Sequence, residues 1–170
     1  MTDDAAARNG VLMLRDPRLR EDDPGMANTY RLGPMRRGIN IVMTTMIRLG
    51  VGASSSFLLT TTGRKTGSPR TTPVTLVEGD GDQWLVAPYG PVGWVHNVRS
   101  TPEVSLRRGR KTQVRKAIEV DADTAGPVLR RYVGDVQVTA PFFDAKASDP
   151  VERFVEEATR HPVFRLTEVG

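Results

Sequence analysis

Residues 57–88 constrain the fold more than any other part of the chain. The runs "FLLTTT" (57–62), "RTTPVTLVE" (70–78) and "QWLVAP" (83–88) are rich in β-branched and aromatic residues. They are separated by "GRKTGSP" and "GDGD", both strong turn signals. A short helix is predicted over 93–102, stopped by Pro102. "EVSLRR" and "KTQVRKAIEV" then pair as a hairpin across residues 109–110. Residues 123–133 and 149–161 read as helices, the second with Asp149 as N-cap and Pro150 at the first helical position. "PVFRLTEV" reads as a last strand. The strands do not alternate with crossover helices, which disfavours a doubly wound sheet. The pattern predicts a mainly β (α+β) chain: a small antiparallel barrel with peripheral helices.

Length bounds the rest of the organisation. The chain has 170 residues, enough for one domain with a sizeable core. Residues 1–25 are polar, without a sustained apolar stretch, and read as a flexible tail before a single domain over 26–170. Their acidic start and the short "VLML" do not make a signal peptide. In "RRGINIVMTTMIRL" (36–49), Ile39, Val42, Met43, Met46 and Ile47 recur at helical spacing. Such a helix is too short to span a bilayer, which takes about twenty residues. Two readings stay open: it packs on the domain's own core, or, with Arg36, Arg37 and Arg48 at its ends, it lies on an anionic membrane surface.

The composition removes several chemistries. There is no cysteine, so disulfides, thiolate nucleophiles and Cys-based zinc sites are excluded, and a reducing cytoplasm suits the chain. The two histidines, His96 and His161, stand in no metal-ligand pattern, so no metal is expected. The net charge is +4, and residues 99–116 carry seven Lys/Arg against the single acid Glu103. A basic centre of this kind suits an anionic partner: nucleic acid, a membrane surface or a phosphorylated small molecule. Nucleic acid is the weakest of these, because the basic run lacks interleaved aromatic residues and no reading helix carries the charge.

The turn "TTTGRKTGSPRTTP" (60–73) concentrates three further cations, Arg64, Lys65 and Arg70, between threonine-rich strands. It is not a P-loop, since Ser-Pro follows Gly67 where Lys-Ser/Thr would be needed and no helix follows. Exposed turn N–H groups beside cations can hold phosphate or carboxylate oxygens; a charged surface hairpin has the same composition.

The order of motifs goes further. "LLTTTGRKTGSPRTTPV" followed by a strand and then "APYGPVGWVHNVRSTPEVSLRRGRK" resembles the deazaflavin-dependent nitroreductase family, split β-barrel oxidoreductases that use coenzyme F420. The resemblance covers residues 57–119. It implies a split, FMN-binding-like β-barrel and an F420H2-dependent reductase. It also implies site residues. Arg64, Lys65 and Arg70 would grip the coenzyme's phosphate and acidic tail, with Thr66 and Gly67 as turn donors. Thr72 and Pro73 would lie against the ring edge. Val86, Ala87, Pro88, Tyr89 and Gly90 would line the ring's other side, and Trp94 and Asn97 would close the pocket. The region 130–150 has only Tyr132, Phe142 and Phe143 where nitro-reducing members carry several tyrosines. An apolar, quinone-like or unsaturated substrate is therefore expected, with Tyr132 or His96 as proton donor. The alternatives are a non-catalytic coenzyme or lipid carrier on the same barrel, and a barrel binding FMN, which lacks the acidic tail. A homodimer is compatible with such a barrel.

Overall fold

The structure, a computed structural model, describes residues 53–170; the expected tail (1–25) and helix (36–49) lie outside them. The turn signals end the strands where the sequence predicts. Strands β1 (Ser56–Thr62), β2 (Pro69–Gly79) and β3 (Asp82–Val86) follow as successive hairpins. Helix α1 (Gly93–Ser100) leads to a second hairpin, β4 (Glu103–Arg108) and β5 (Lys111–Glu119). Helix α2 (Ala122–Asp135), a 3-10 helix (Gln137–Phe142) and helix α3 (Val151–Glu157) precede the last strand, β6 (Val163–Thr167).

The six strands close into a barrel in the order β1-β2-β3-β6-β5-β4, every neighbouring pair antiparallel. This is the expected antiparallel split-barrel fold. The closing strand is β6, which pairs Val86 with Val163 on one side and Phe164 with Glu119 on the other. Side-chain alternation gives the sheet two apolar faces. Inside the barrel, Leu59, Leu76, Leu85, Leu106, Ala117, Phe164 and Leu166 meet, and Val95 and Val98 of α1 plug one end. On the outer face of β2, β3 and β6, Val77, Trp84, Val86 and Val163 pack under Leu129, Tyr132 and Val133 of α2, Phe143, and Phe154 of α3.

Antiparallel order also sorts the connections. Segments 63–68, 87–102 and 120–162 all leave from one end, here the upper end; the turns at 80–81 and 109–110 lie at the lower end. Among the described residues no helix is long and apolar enough to cross a membrane, and no cluster of acidic or histidine side chains could hold a metal ion.

Two local expectations need correction. Asp149 does not cap α3: its carboxylate accepts the N–H of Lys146 at 2.9 Å, closing a turn, and Pro150 stands at the N-cap without a side-chain cap. The helix also stops at Glu157 rather than 161: the chain tightens there, Ala158 N–H donating to Val155 and Arg160 N–H to Glu157, and Pro162 disfavours helical geometry at His161. The 3-10 helix was not anticipated, since "QVTAPF" carries no helical period.

Candidate functional site

The site grows from the upper end of β1. Thr61 is buried, and its hydroxyl accepts a hydrogen bond from Nδ2 of Asn97 at 3.1 Å. Asn97, 6% exposed on α1, uses its Oδ1 to accept both the main-chain N–H of Arg64 at 3.2 Å and its guanidinium at 3.4 Å. A buried carboxamide must fill its hydrogen-bonding capacity, so Asn97 locks the turn to the barrel end.

The turn is rigid in its own right. The carbonyl of Gly63 accepts the N–H groups of Thr66 (3.2 Å) and Gly67 (2.7 Å), and Gly63 N–H donates to the Ser68 carbonyl at 2.9 Å. A Cβ on Gly63 would stand 2.8 Å from that carbonyl oxygen, and Gly67 has φ +67°, so glycine is required at both places. The expected donors therefore change. The N–H groups of Thr66 and Gly67 are consumed within the turn, and the Thr66 hydroxyl, which accepts from Ser68 N–H, is the group left to point at a ligand.

Arg64, Lys65 and Arg70 are exposed around this frame, and among the described residues none forms an ion pair with a carboxylate. Three cations on and beside one turn, without a carboxylate partner among the described residues, fit a polyanionic ligand by their donor chemistry.

The ring-lining residues are placed less uniformly. Thr72 pairs with Leu59 and faces inward, whereas Pro73 pairs with Leu58 on the outer face, so their side chains do not share one surface. Val86 is buried in the outer core, Ala87 in the barrel interior, and Pro88 is buried beside them. Only Tyr89 and Gly90 reach the surface of that loop, Tyr89 edge-on against Phe142 with ring centroids 4.7 Å apart. Trp94 is half-buried against Phe164 at 5.6 Å, at the start of α1.

The two proton-donor candidates differ in exposure. His96 is exposed on α1. Tyr132 is 3% exposed in the core under α2, its ring 6.3 Å from Phe143. Burial drives its phenol well above the ordinary tyrosine range, partly offset by a hydrogen bond with Thr139. It faces packing rather than an open cleft.

The basic run 99–116 also divides. Arg99 is neutralised by a two-bond pairing with Glu119 at 2.7 and 2.6 Å. The β4–β5 hairpin then carries Arg107, Arg108, Arg110 and Lys111 down to the lower end, about 15 Å along the strands from the Arg64 turn at the usual rise per residue. These cations do not extend the upper site. A cavity of about 540 Å³ also lies at the lower end, lined by Glu78, Asp82, Gln83, Gln113, Arg115 and Glu168. Its acidic rim is the wrong charge for an anionic ligand.

A protein of unknown function from Agrobacterium tumefaciens superposes with a TM-score of 0.52 at 19% identity, over 82% of this chain and 58% of that one. A solved F420-H2 dependent reductase superposes with a TM-score of 0.48 at 27% identity, over 66% of this chain and 94% of that one. An F420H(2)-dependent quinone reductase of Mycobacterium tuberculosis is 44% identical in a 66-residue alignment that covers 35% of this chain. That match spans 43% of the curated relative, less than half its length. The family model described as F420H(2)-dependent quinone reductase matches residues 35–157, most of the chain, and the chain belongs to that family.

Proposed function

We propose that the protein is a reductase that binds coenzyme F420 across its upper end and passes hydride to an apolar, quinone-like or unsaturated small molecule. The observation that carries this reading is the cationic turn: Arg64, Lys65 and Arg70 without a carboxylate partner among the described residues, on a frame fixed by buried Asn97. When bound, the deazaflavin supplies the hydride chemistry. The chain's own residues do the positioning. Arg64, Lys65 and Arg70 hold phosphate and carboxylate oxygens, and the Thr66 hydroxyl adds a neutral donor. Thr72, Tyr89, Gly90 and Trp94 would flank the flat ring. None of this requires Tyr132 as an acid, and water or His96 remains to deliver the proton.

Family membership and the 44% match to a named quinone reductase support the substrate class. Contact with an anionic membrane surface through segment 36–49, where apolar quinones dissolve, belongs to the same reading, as does a cytoplasmic setting.

The test is a tryptophan-fluorescence titration of the full chain with F420, FMN and FAD at one ionic strength. F420 is expected to bind tightest, because FMN has a phosphate but no acidic tail. Equal affinity for FMN overturns the role given to the three cations. Tight F420 binding with no acceptor that speeds reoxidation of the reduced coenzyme replaces the reductase by a carrier.

A further inference from the structure

Outside the coenzyme site, Glu157 and His161 form a buried pair that the reading above does not use. They are 3% and 5% exposed, at the end of α3 and in the turn after it, with Glu157 Oε2 3.3 Å from His161 Nε2. Glu157 Oε1 accepts the N–H of Ala145. The imidazole stacks on Phe143 at 4.0 Å and 28°. Neither ring nitrogen, nor Glu157 Oε2, makes a well-aligned hydrogen bond.

What the pair touches gives it a role. Pro162, next in the chain, accepts the N–H of Ala87 at 2.9 Å. The carbonyl of Arg160 lies 3.3 Å from where a Cβ on Gly90 would stand, and Gly90 has φ +79°. The main chain of Ala87 and Pro88 lies close enough to the imidazole to raise its basicity slightly, without a hydrogen bond to either ring nitrogen. The end of α3, the stretch 143–145 and the root of loop 87–90 thus meet at these two side chains. Between a carboxyl and an imidazole this close and this dry, one shared proton is the stable arrangement. With none, lone pairs face each other across the 3.3 Å gap and the carboxylate must draw on an Arg160 already paired with Asp144; with two, the imidazolium is buried beside a neutral carboxyl.

We propose that Glu157 and His161 are positioning residues for the coenzyme: a net-neutral couple holding one proton, which fixes loop 87–90 beside the bound ring. The proposal rests on the coenzyme reading. Burial, reinforced by the charge of Arg160, lowers the imidazole to about 4, and burial raises the Glu157 carboxyl, in keeping with the proton residing on Glu157. The other charged groups around the couple are Arg160 on the same turn and Asp144 on the facing stretch, which pair with each other at 2.6 Å; the same Arg160 nitrogen stands 3.4 Å from Glu157 Oε2 and works against the burial that raises the carboxyl. Tyr132 stands on Phe143, its ring 6.3 Å away, and Tyr89 is close enough to act on the Tyr132 phenol.

Three measurements on the full chain test this. First, the imidazole signals of the two histidines are followed by NMR against pH. The signal missing in His161→Gln is expected to stay unprotonated down to about pH 4, and titration near 6.5 overturns the neutral couple. Second, Glu157→Gln copies the protonated carboxyl, accepting from Ala145 and donating to His161, whereas Glu157→Ala does not. Amide shifts of Ala87, Tyr89 and Gly90 are expected to move in the alanine variant and stay in the glutamine variant, whether or not coenzyme is present. Third, F420 affinity at pH 7 is expected to be kept by Glu157→Gln and to fall about tenfold in Glu157→Ala, the size of one lost buried hydrogen bond. Equal behaviour of the two variants overturns the proposal. A wild-type chain that does not bind F420 removes the coenzyme reading, while the first two measurements still decide whether the couple sets the loop.

Discussion

The carboxamide oxygen of Asn97 accepts both the main-chain N–H and the guanidinium of Arg64, so one side chain on α1 fixes the direction of the cationic turn. Asn97→Ala leaves the Thr61 hydroxyl and the turn without this partner. A loss of about 1–3 kcal/mol in stability is expected, the cost of an unsatisfied buried group. Denaturant unfolding measures it, and F420 titration should show weaker binding even though no cation has been removed.

Lys65→Ala and Arg70→Ala should each weaken F420 binding about ten- to a hundredfold, as expected for loss of a charged hydrogen bond. The double variant should also lose much of the salt dependence, since exposed charge pairs are screened. Unchanged affinity would reduce the turn to a solvated hairpin.

Tyr132→Phe should leave turnover within about twofold, because proton delivery by a well-placed acid is worth 10²–10⁴-fold, roughly, and this phenol faces the core. Stability should fall by about 1 kcal/mol through loss of its hydrogen bond with Thr139. A collapse of turnover with intact F420 binding would restore the tyrosine as the acid.

His161 gives a pH dependence with a defined sign. Its folded value of about 4 lies below its ordinary 6.5, so between these values the unfolded chain binds the extra proton. This contribution is whole above pH 6.5 and is lost as the pH falls toward 4. The full loss is about 3 kcal/mol. Glu157, raised by burial, works oppositely: its contribution is whole below the ordinary carboxyl range and is lost as the pH rises. In a Glu157→Gln background only the histidine term remains. Adding His161→Gln should then flatten the unfolding free energy between pH 4 and 6.5.

For the membrane reading, the full chain should pellet with liposomes containing anionic lipid at low salt, and deletion of residues 1–50 should abolish this. If it stays in the supernatant whatever the lipid charge, segment 36–49 serves the domain's own packing.

The strands were legible because turn chemistry is local: Gly63, Gly67, Gly81 and Gly109 mark connections that periodicity alone would blur. The place of β6 was not, since nothing local tells "PVFRLTEV" to enter between β3 and β5. The cations of the turn could be read directly, but not the hold of Asn97 on them across 33 residues. The basic run 99–116 looked like one surface because composition ignores the reversal at 109–110, which carries the hairpin tip to the other end of the barrel. Glu157 and His161 were hidden for a different reason. In "VEEATRH" a charged residue defaults to solvent, and only the tertiary packing of Phe143 and Ala145 buries this pair.

Because β6 is the strand that closes the barrel, the edges of β3 and β5 have no mutual contact to protect them before it arrives. The chain must make α1, the second hairpin and all of segment 120–162 first. During that interval Trp84, Leu85 and the β5 edge present a sticky, half-made sheet to any other nascent copy. Long-range closure of this kind slows folding. High-level production of the protein should therefore be limited by chain crowding during synthesis, and a solubility partner fused after β6 should help less than one fused before β1.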